Sequence, residues 1–359
     1  MARVHGAEPS SPYNASSSEP QTRKPMRDVL SPTRVLQGDL PGIIRCIAVS
    51  GDGKALAAAG GGTVKNDEEQ SATTNDSVIY CWSLLGDGTP KPLKGHSDQV
   101  RGLSFLDDGK RLISAGWDGT IRVWDIETAS AVTLATNLGA IWDLQVSSNR
   151  SFAVTAGNDS IVRLWNLDKL REQKRFKGHE EPVFAVAISP DGTLIASGGH
   201  DTTVRIWDTT VHTRDPIAVL EGHADDVYSL AFLSDGQRLA SSGIDQQLIL
   251  WQWKPPLELK RFPTRSDTRQ LIVSPDSKSA FTSVEDPIAV EWSLDSGEER
   301  RLFYEKDNFV HAIALSPDGK FFFTGGHDRF VRMYALTADV LTERSNLSTN
   351  HVQSGTGHQ

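Results

Sequence analysis

The stretch GHSDQVRGLSFLDDGKRLISAGWDGTIRVWD, residues 95–125, contains the pattern that decides the fold. Its segments VRGLSF, RLISAG and TIRVWD are rich in β-branched and aromatic residues, and the turns DDGK and WDGT separate them. Short apolar runs broken by Asp-Gly turns predict antiparallel strands joined as hairpins. The stretch therefore predicts most of one small antiparallel sheet.

The same unit recurs along the chain, and each copy ends in an aromatic residue. Successive closing aromatics lie 42, 41, 42, 44, 41 and 42 residues apart. They are Trp82, Trp124, Trp165, Trp207, Trp251, Trp292 and Tyr334. A repeat of this period is typical of propellers and solenoids, because one small sheet cannot bury both of its faces alone. The spacing predicts an all-β chain of seven units, each a sheet of four short antiparallel strands.

Two further copies repeat the first in register, GHEEPV with LIASGGHDTTVRIWD and GHADDV with LASSGIDQQLILW. The three copies resemble the WD-repeat (G-β-like) family, and weaker copies extend the resemblance over residues 33–339. The resemblance implies a seven-bladed β-propeller of four-stranded antiparallel blades. It also implies a non-catalytic platform that holds other proteins or peptides.

Three units contain a set of four polar residues that raises the question of catalysis. A Ser, a His and an Asp in one unit are the residue types of nucleophilic catalysis. The resemblance implies a structural role instead, in which the indole donates to the hydroxyl, the hydroxyl bonds the imidazole and the imidazole donates to the Asp. Because three near-identical active sites in one ring make no chemical sense, we expect no enzyme. The main alternative is a propeller enzyme with an unrecognised site, since propellers of other families host catalysis. The sets are His96, Ser114, Asp118 and Trp124; His179, Ser197, Asp201 and Trp207; and His223, Ser241, Asp245 and Trp251.

The start of the repeat region predicts how the ring closes. RVLQGD at residues 34–39 matches AVLEGH at residues 218–223, which is an outer strand running into the next blade. We therefore expect residues 33–37 to complete the last blade and to remove an unpaired edge. VLTER at residues 340–344 is the competing candidate for that place.

Three segments depart from the repeat. Residues 1–32 are rich in Ser and Pro and carry little apolar surface, so they predict a disordered tail. Residues 340–359 predict a polar C-terminal tail. The insertion at residues 61–76 is acidic and is either a solvated loop or a partner-contacting one. Blades six, seven and one are the least regular, and we expect the ring to open there first.

Composition limits the partners and the location. The net charge of −9 and the pI of about 5.6 argue against non-specific nucleic-acid binding, which needs a basic surface, although a chromatin-associated role stays open. Cys46 and Cys81 are too few for a disulfide framework and fall on strands of one blade. No apolar stretch reaches the length of a membrane span, and the N-terminus lacks the apolar region of a signal peptide. We expect a cytoplasmic protein with no cofactor and no metal.

The resemblance also implies a binding surface. In that family, the residue just after the β-branched start of each innermost strand often lines the mouth of the central channel, where peptides bind. In this sequence those residues are Arg45, Arg101, Trp142, Phe184, Tyr228, Arg269 and His311. The residue before the turn Asp adds Trp117, His200 and His327 on the same face.

Residue types segregate around this predicted mouth. Blades three to five present aromatics and the others present cations, so we expect two facing arcs that bind an acidic or aromatic-containing peptide. The alternative is that these side chains lie between blades. Arg101 has the same strand parity as Leu103 and Phe105, and alternation along a strand would then point it into that layer.

Overall fold

The computed structural model describes residues 29–37, 42–61, 77–86, 89–284, 286–305 and 308–336. These residues form seven sheets, and the predicted all-β propeller is confirmed. Nearly all of the insertion at residues 61–76, together with residues 1–28 and 340–359, lies outside the described residues.

The first four blades each use four consecutive strands, which follow one another from the hub to the outer edge. Blade one contains β3 (Ile44–Val49), β4 (Ala55–Gly60), β5 (Ser77–Ser83) and β6 (Lys91–His96). Blade two contains β7 (Val100–Phe105), β8 (Arg111–Gly116), β9 (Ile121–Asp125) and β10 (Ser130–Ala135). Blade three contains β11 (Ile141–Val146), β12 (Phe152–Gly157), β13 (Ile161–Asn166) and β14 (Arg171–Lys177). Blade four contains β15 (Val183–Ile188), β16 (Leu194–Gly199), β17 (Val204–Asp208) and β18 (Ala218–Leu220).

The last three blades include the two strands that come from the start of the chain. Blade five contains β19 (Val227–Phe232), β20 (Arg238–Gly243), β21 (Gln247–Trp253) and β22 (Pro256–Pro263). Blade six contains β23 (Thr268–Val273), β24 (Ser279–Val284), β25 (Ile288–Ser293), β26 (Glu299–Tyr304) and the added β1 (Val29–Leu30). Blade seven contains β27 (Val310–Leu315), β28 (Phe321–Gly326), β29 (Val331–Ala335) and β2 (Arg34–Leu36).

The ring closes through β2, which pairs antiparallel with β29. Arg34 lies opposite Met333, and Leu36 lies opposite Val331. The backbone N–H of Thr33 also donates to the carbonyl of Met333 at 2.7 Å. The predicted closure by residues 33–37 is therefore confirmed, while the competing segment at residues 340–344 lies outside the described residues.

The predicted boundary of the N-terminal tail, at residue 32, is wrong. Val29 and Leu30 pair in parallel with Leu302 and Phe303 on the outer edge of blade six. Leu30 also packs against the apolar cluster between blades six and seven. The open edge of β26 offers unpaired backbone groups, and two apolar residues among polar neighbours are enough to add a short fifth strand there.

The core consists of layers between neighbouring blades. Seven apolar clusters each combine buried side chains from two adjacent blades. Trp82 lies between blades seven and one, and Trp207 packs on Phe176 between blades three and four. Each blade is stabilised by its two neighbours, so the stability of the structure depends on the interfaces between adjacent blades. The side chains at the hub are therefore not needed to form the core.

The two cysteines lie as predicted, on β3 and β5 of blade one with β4 between them. Both are free and buried. Burial raises the pKa of each thiol, so neither is a ready nucleophile.

Candidate functional site: the mouth of the central channel

A β-bulge near the start of each innermost strand positions the side chains at the hub. In β7 the pairing with β8 passes from Val100 to Gly102 and skips Arg101. The same skip occurs in the other six blades, and the skipped residues are Arg45, Trp142, Phe184, Tyr228, Arg269 and His311. A bulge adds one unpaired residue and re-aims its side chain. The seven residues singled out in the sequence are therefore seven structurally equivalent bulge residues.

These seven residues line one pocket where the innermost strands meet. The pocket encloses about 130 Å³. Each of the seven side chains is half-buried, so each presents part of its surface to the pocket. The alternative orientation of Arg101, into the layer between blades, is not what the structure shows.

The aromatic residues of blades two to five form a continuous wall. Phe184 stacks on Tyr228 with ring centres 4.9 Å apart and an interplanar angle of 7°. Trp142 meets Phe184 edge-on at 5.0 Å and Trp117 edge-on at 4.8 Å. Contacts of this geometry stabilise one another, so the wall is a preorganised apolar surface.

The cations of the neighbouring blades adjoin this wall at its two ends. The Arg101 guanidinium lies 4.5 Å from the ring centre of Trp117 and 4.6 Å from that of Trp142. Arg269 lies 4.9 Å from the ring centre of Tyr228 at the other end of the wall. A guanidinium stacks favourably on an aromatic face, and the wall therefore has a cation at each end.

Arg101 is a strongly desolvated cation. Burial, together with the nearby charges of Arg45 and Arg269, lowers the pKa of Arg101 to about 9, and the side chain stays cationic at neutral pH. Its Nε is buried and has no hydrogen-bond partner among the described residues. The aromatic faces of Trp117 and Trp142 therefore hold Arg101 without neutralising it.

His311, the bulge residue of blade seven, is uncharged. Burial and then the charge of Arg45 lower the pKa of His311 to about 2. Arg45 Nη1 lies 3.3 Å from His311 Nδ1. Because a guanidinium only donates, Nδ1 accepts and Nε2 carries the proton. The second predicted residue of this blade, His327, stacks on His311 at 4.8 Å.

His200 lies at the rim and is more exposed than the bulge residues. Its Nδ1 contacts Asp226 Oδ1 at 2.5 Å, and this hydrogen bond raises the pKa of His200. The ring of His200 meets Phe184 edge-on at 6.3 Å. The three residues predicted from the turn positions therefore each contact a bulge residue.

Asp143 is a pocket residue that the sequence analysis missed. It follows the bulge residue of β11, and its carboxylate accepts backbone N–H bonds from Leu144 at 2.7 Å and from Val186 of the next blade at 2.9 Å. Burial raises the pKa of Asp143 to about 6, although these hydrogen bonds oppose the rise. Ser229 and Gln270 occupy the same position in blades five and six and also accept a backbone N–H from the next blade. A polar residue directly after the bulge residue was the sequence signal for this bond.

The three four-residue sets lie away from this pocket, between strands of each blade. In the set of blade two, the Trp124 indole donates to Ser114 Oγ at 2.8 Å, and the two nitrogens of His96 lie 2.6 Å from Ser114 Oγ and 2.8 Å from Asp118 Oδ2. The sets of blades four and five have the same bonds within 0.1 Å. Their Ser and His side chains are buried, so a substrate has no access to the hydroxyl groups.

Blade seven replaces the His of this set with a residue that the sequence analysis did not identify. The buried Glu305 accepts hydrogen bonds from Thr324, from Asn308 and, at 2.9 Å, from Arg332. Arg332 in turn pairs with Asp328. A buried carboxylate paired with a guanidinium therefore links strands that an imidazole links in blades two, four and five.

Clusters of metal-ligating side chains and membrane-spanning helices are both absent from the part of the chain that the structure describes. Its residues contain no cluster of three or more His, Cys, Asp or Glu side chains that could hold a metal ion. In the same ranges, no helix has the length and apolar character needed to cross a membrane.

Seven sheets arranged around a lined hub define a β-propeller whose candidate functional surface is the channel mouth. The family described as WD domain, G-beta repeat matches residues 30–65, 89–125, 131–166, 170–208, 214–252 and 297–334. These segments cover more than half of the chain, and the chain belongs to this WD-repeat family. Most of blade six falls between the matched segments, in agreement with its irregular sequence.

Two curated proteins show the extent of similarity to individual relatives. Transcription initiation factor TFIID subunit 5 of Caenorhabditis elegans is 28% identical over 142 residues, which are 40% of this chain and 22% of that protein. DENN domain and WD repeat-containing protein SCD1 of Arabidopsis thaliana is 30% identical over 126 residues, which are 35% of this chain and 10% of that protein. The alignments thus span about a fifth and a tenth of these relatives.

Proposed function

We propose that the chain is a non-catalytic interaction module that binds a peptide segment of a partner protein at the channel mouth. The observation that carries this proposal is the convergence of seven bulge side chains on one pocket, where an aromatic wall ends in arginines. Aromatic and Arg side chains are the types most enriched at binding hot spots. The TFIID relative is named as a subunit, which agrees with a role in an assembly.

The composition of the mouth favours a short segment with an anionic group and an apolar or aromatic side chain. The stacked rings supply apolar area with few rotatable bonds to immobilise, so they suit a ligand with little surface of its own. An Arg hydrogen bond to an anion in a half-buried site contributes about 1.5–3 kcal/mol, compared with under about 1 kcal/mol for an exposed pair.

Affinity capture with the intact chain and two mouth variants tests the proposal. We expect Phe184→Ala and Arg101→Glu each to weaken binding of the captured partner at least about tenfold, since each removes more than about 1.4 kcal/mol. Leu257→Ala, on the exposed outer strand of blade five, serves as the control because it leaves the mouth unchanged.

Affinities are then measured with the purified partner by titration calorimetry. Full affinity in both mouth variants would place the interaction on the outer rim or on the insertion at residues 61–76 and would overturn the proposal. Melting curves of the variants separate lost binding from lost folding.

A further inference from the structure

The charge of the mouth pocket indicates how many negative charges its ligand should carry. Among the described residues that line it, Arg45, Arg101 and Arg269 are cationic, His311 is neutral and Asp143 is the one acid. At pH 7.5 these lining residues therefore carry a net charge of +2 in a chain whose net charge is −9. A single carboxylate neutralises half of that local charge, and a dianion neutralises all of it.

Unused hydrogen-bond donors lie beside this charge. The Nε of Arg101 and the Nε2–H of His311 are buried, and neither has a partner among the described residues. Buried donors without partners are unfavourable, so an oxyanion whose oxygens come within hydrogen-bond distance of these two N–H groups would be stabilised there. Arg combines charge with several directed donors, which suits a group that has three acceptor oxygens.

The size and walls of the pocket restrict what carries the anion. About 130 Å³ is well below the roughly 300–1,000 Å³ of sites that take whole small-molecule ligands, so one side-chain group enters and the rest of the ligand stays outside. The cations adjoin the rings of Trp142 and Tyr228 directly, so a ligand that places an anion beside Arg101 also places its preceding atoms against an aromatic surface.

We propose that the mouth pocket binds a phosphotyrosine side chain of a partner peptide, with the arginines holding the phosphate dianion and the aromatic wall holding the phenyl ring. This inference rests on the proposed function and names the ligand class for the same site. It depends on the joint presence of a +2 pocket, unused donors and an adjoining aromatic wall, and the first two features alone would suit any phosphate monoester.

Capped single residues, with acetylated N-termini and amidated C-termini, provide the probes. O-phosphotyrosine carries two charges, O-sulfotyrosine carries one on a similar tetrahedral group, phosphoserine lacks the ring and tyrosine lacks the anion. Binding is measured at pH 7.5 by titration of the tryptophan indole N–H signals, with Trp142→Phe used to assign the indole of the mouth. We expect phosphotyrosine to bind at least tenfold more tightly than each of the other three probes.

Two variants test whether the arginines distinguish the doubly charged phosphate from the singly charged sulfate. Arg101→Gln should weaken phosphotyrosine binding at least tenfold and should reduce its advantage over sulfotyrosine. Arg238→Gln removes a half-buried arginine that pairs with Asp235 at the start of β20, away from the mouth, and should leave binding unchanged. If Arg101→Gln unfolds the chain, Arg269→Gln provides the same test at the other end of the aromatic wall.

Three results with the capped probes and the arginine variants would overturn the inference. They are equal affinity for phosphotyrosine and sulfotyrosine, equal affinity for phosphoserine, and binding that Arg101→Gln and Arg269→Gln leave intact. A captured partner segment that binds the mouth equally well with and without phosphorylation would refute this inference and leave the proposed function standing. Inorganic phosphate that competes as well as phosphotyrosine would likewise exclude a role for the ring.

Discussion

The bulge residue of each innermost strand determines which side chain reaches the channel. Strict alternation along β7 would send Arg101 in the direction of Leu103 and Phe105, but the bulge inserts one residue and ends that parity before Gly102. A Cβ atom at Gly102 would lie 2.5 Å from the Cβ of Leu144, so only glycine allows β7 and β11 to approach this closely. Position in the repeat thus predicted the lining residues better than parity did.

Asp143 makes the stability of the fold depend on pH in a defined direction. Because burial raises the pKa of Asp143 to about 6, the folded state binds this proton more tightly than the unfolded state does. Its contribution is therefore largest near pH 4 and declines as the pH rises to about 6. We expect Asp143→Asn to remove this decline, because asparagine does not titrate, so that the difference in unfolding free energy between the two proteins changes by at most about 3 kcal/mol from pH 4 to pH 8, since a tenfold change in an acid constant is about 1.4 kcal/mol.

Urea unfolding of both proteins from pH 4 to pH 8 measures the effect as the difference between their curves. Asp225→Asn, at an exposed carboxyl, provides the control. A constant difference across this range would show that Asp143 does not titrate as the structure requires.

The four-residue sets predict a second residue-scale effect. His179→Ala removes one hydrogen-bond partner of Ser197 and one of Asp201, and we expect it to lower the free energy of unfolding by about 1–3 kcal/mol. Partner binding should persist in the folded fraction because the set lies away from the mouth. His212→Ala at an exposed histidine is the matched control, and equal unfolding midpoints for the two variants would contradict a stabilising role.

At the scale of the strand, β2 closes the ring with one buried anchor. Leu36 is 2% exposed between blades seven and one, whereas its neighbour Val35 is 49% exposed. We expect Leu36→Ala to cost about 2–5 kcal/mol of unfolding free energy and Val35→Ala to cost less than about 0.5 kcal/mol. Denaturant titration of the two variants makes the comparison, and similar losses would mean that β2 does not anchor the closure.

A strand could be predicted from the sequence where its residues match the repeated pattern. The match of RVLQGD to AVLEGH identified β2, since both segments end an outer strand with a buried Leu. The strand β1 was not predictable, because Val29 and Leu30 gain their partners only when the edge of β26 already exists. Glu305 was missed for a related reason. The repeat register places Lys306, five residues before His311, where His96 stands before Arg101, and the buried partner lies one residue earlier.

For the whole molecule, charge is distributed unevenly. The chain is acidic overall, but the pocket at the hub is positively charged. A chain of net charge −9 repels acidic partners on average, while the arginines of the mouth attract an anion locally. The sequence revealed the residue types at the mouth but not their contacts. The stacking of Arg101 on Trp117 and Trp142 joins residues of blades two and three, and only the assembled ring brings them together.

The ring should open first at the closure between β2 and β29. The fourth strand of every other blade follows its third strand directly along the chain, whereas β2 is joined to blade seven by three residue pairs and side-chain packing. Its match is β18, which has the same length, the same burial pattern and three pairs with β17. A protein opens locally where the fewest contacts hold the structure together. We therefore expect the amides of Val35 and Leu36 to exchange at least about tenfold faster than those of Val219 and Leu220. Native-state hydrogen exchange followed by NMR makes this comparison within one molecule. Equal protection of the two strands would mean that packing against blade one holds β2 as firmly as a continuous chain does.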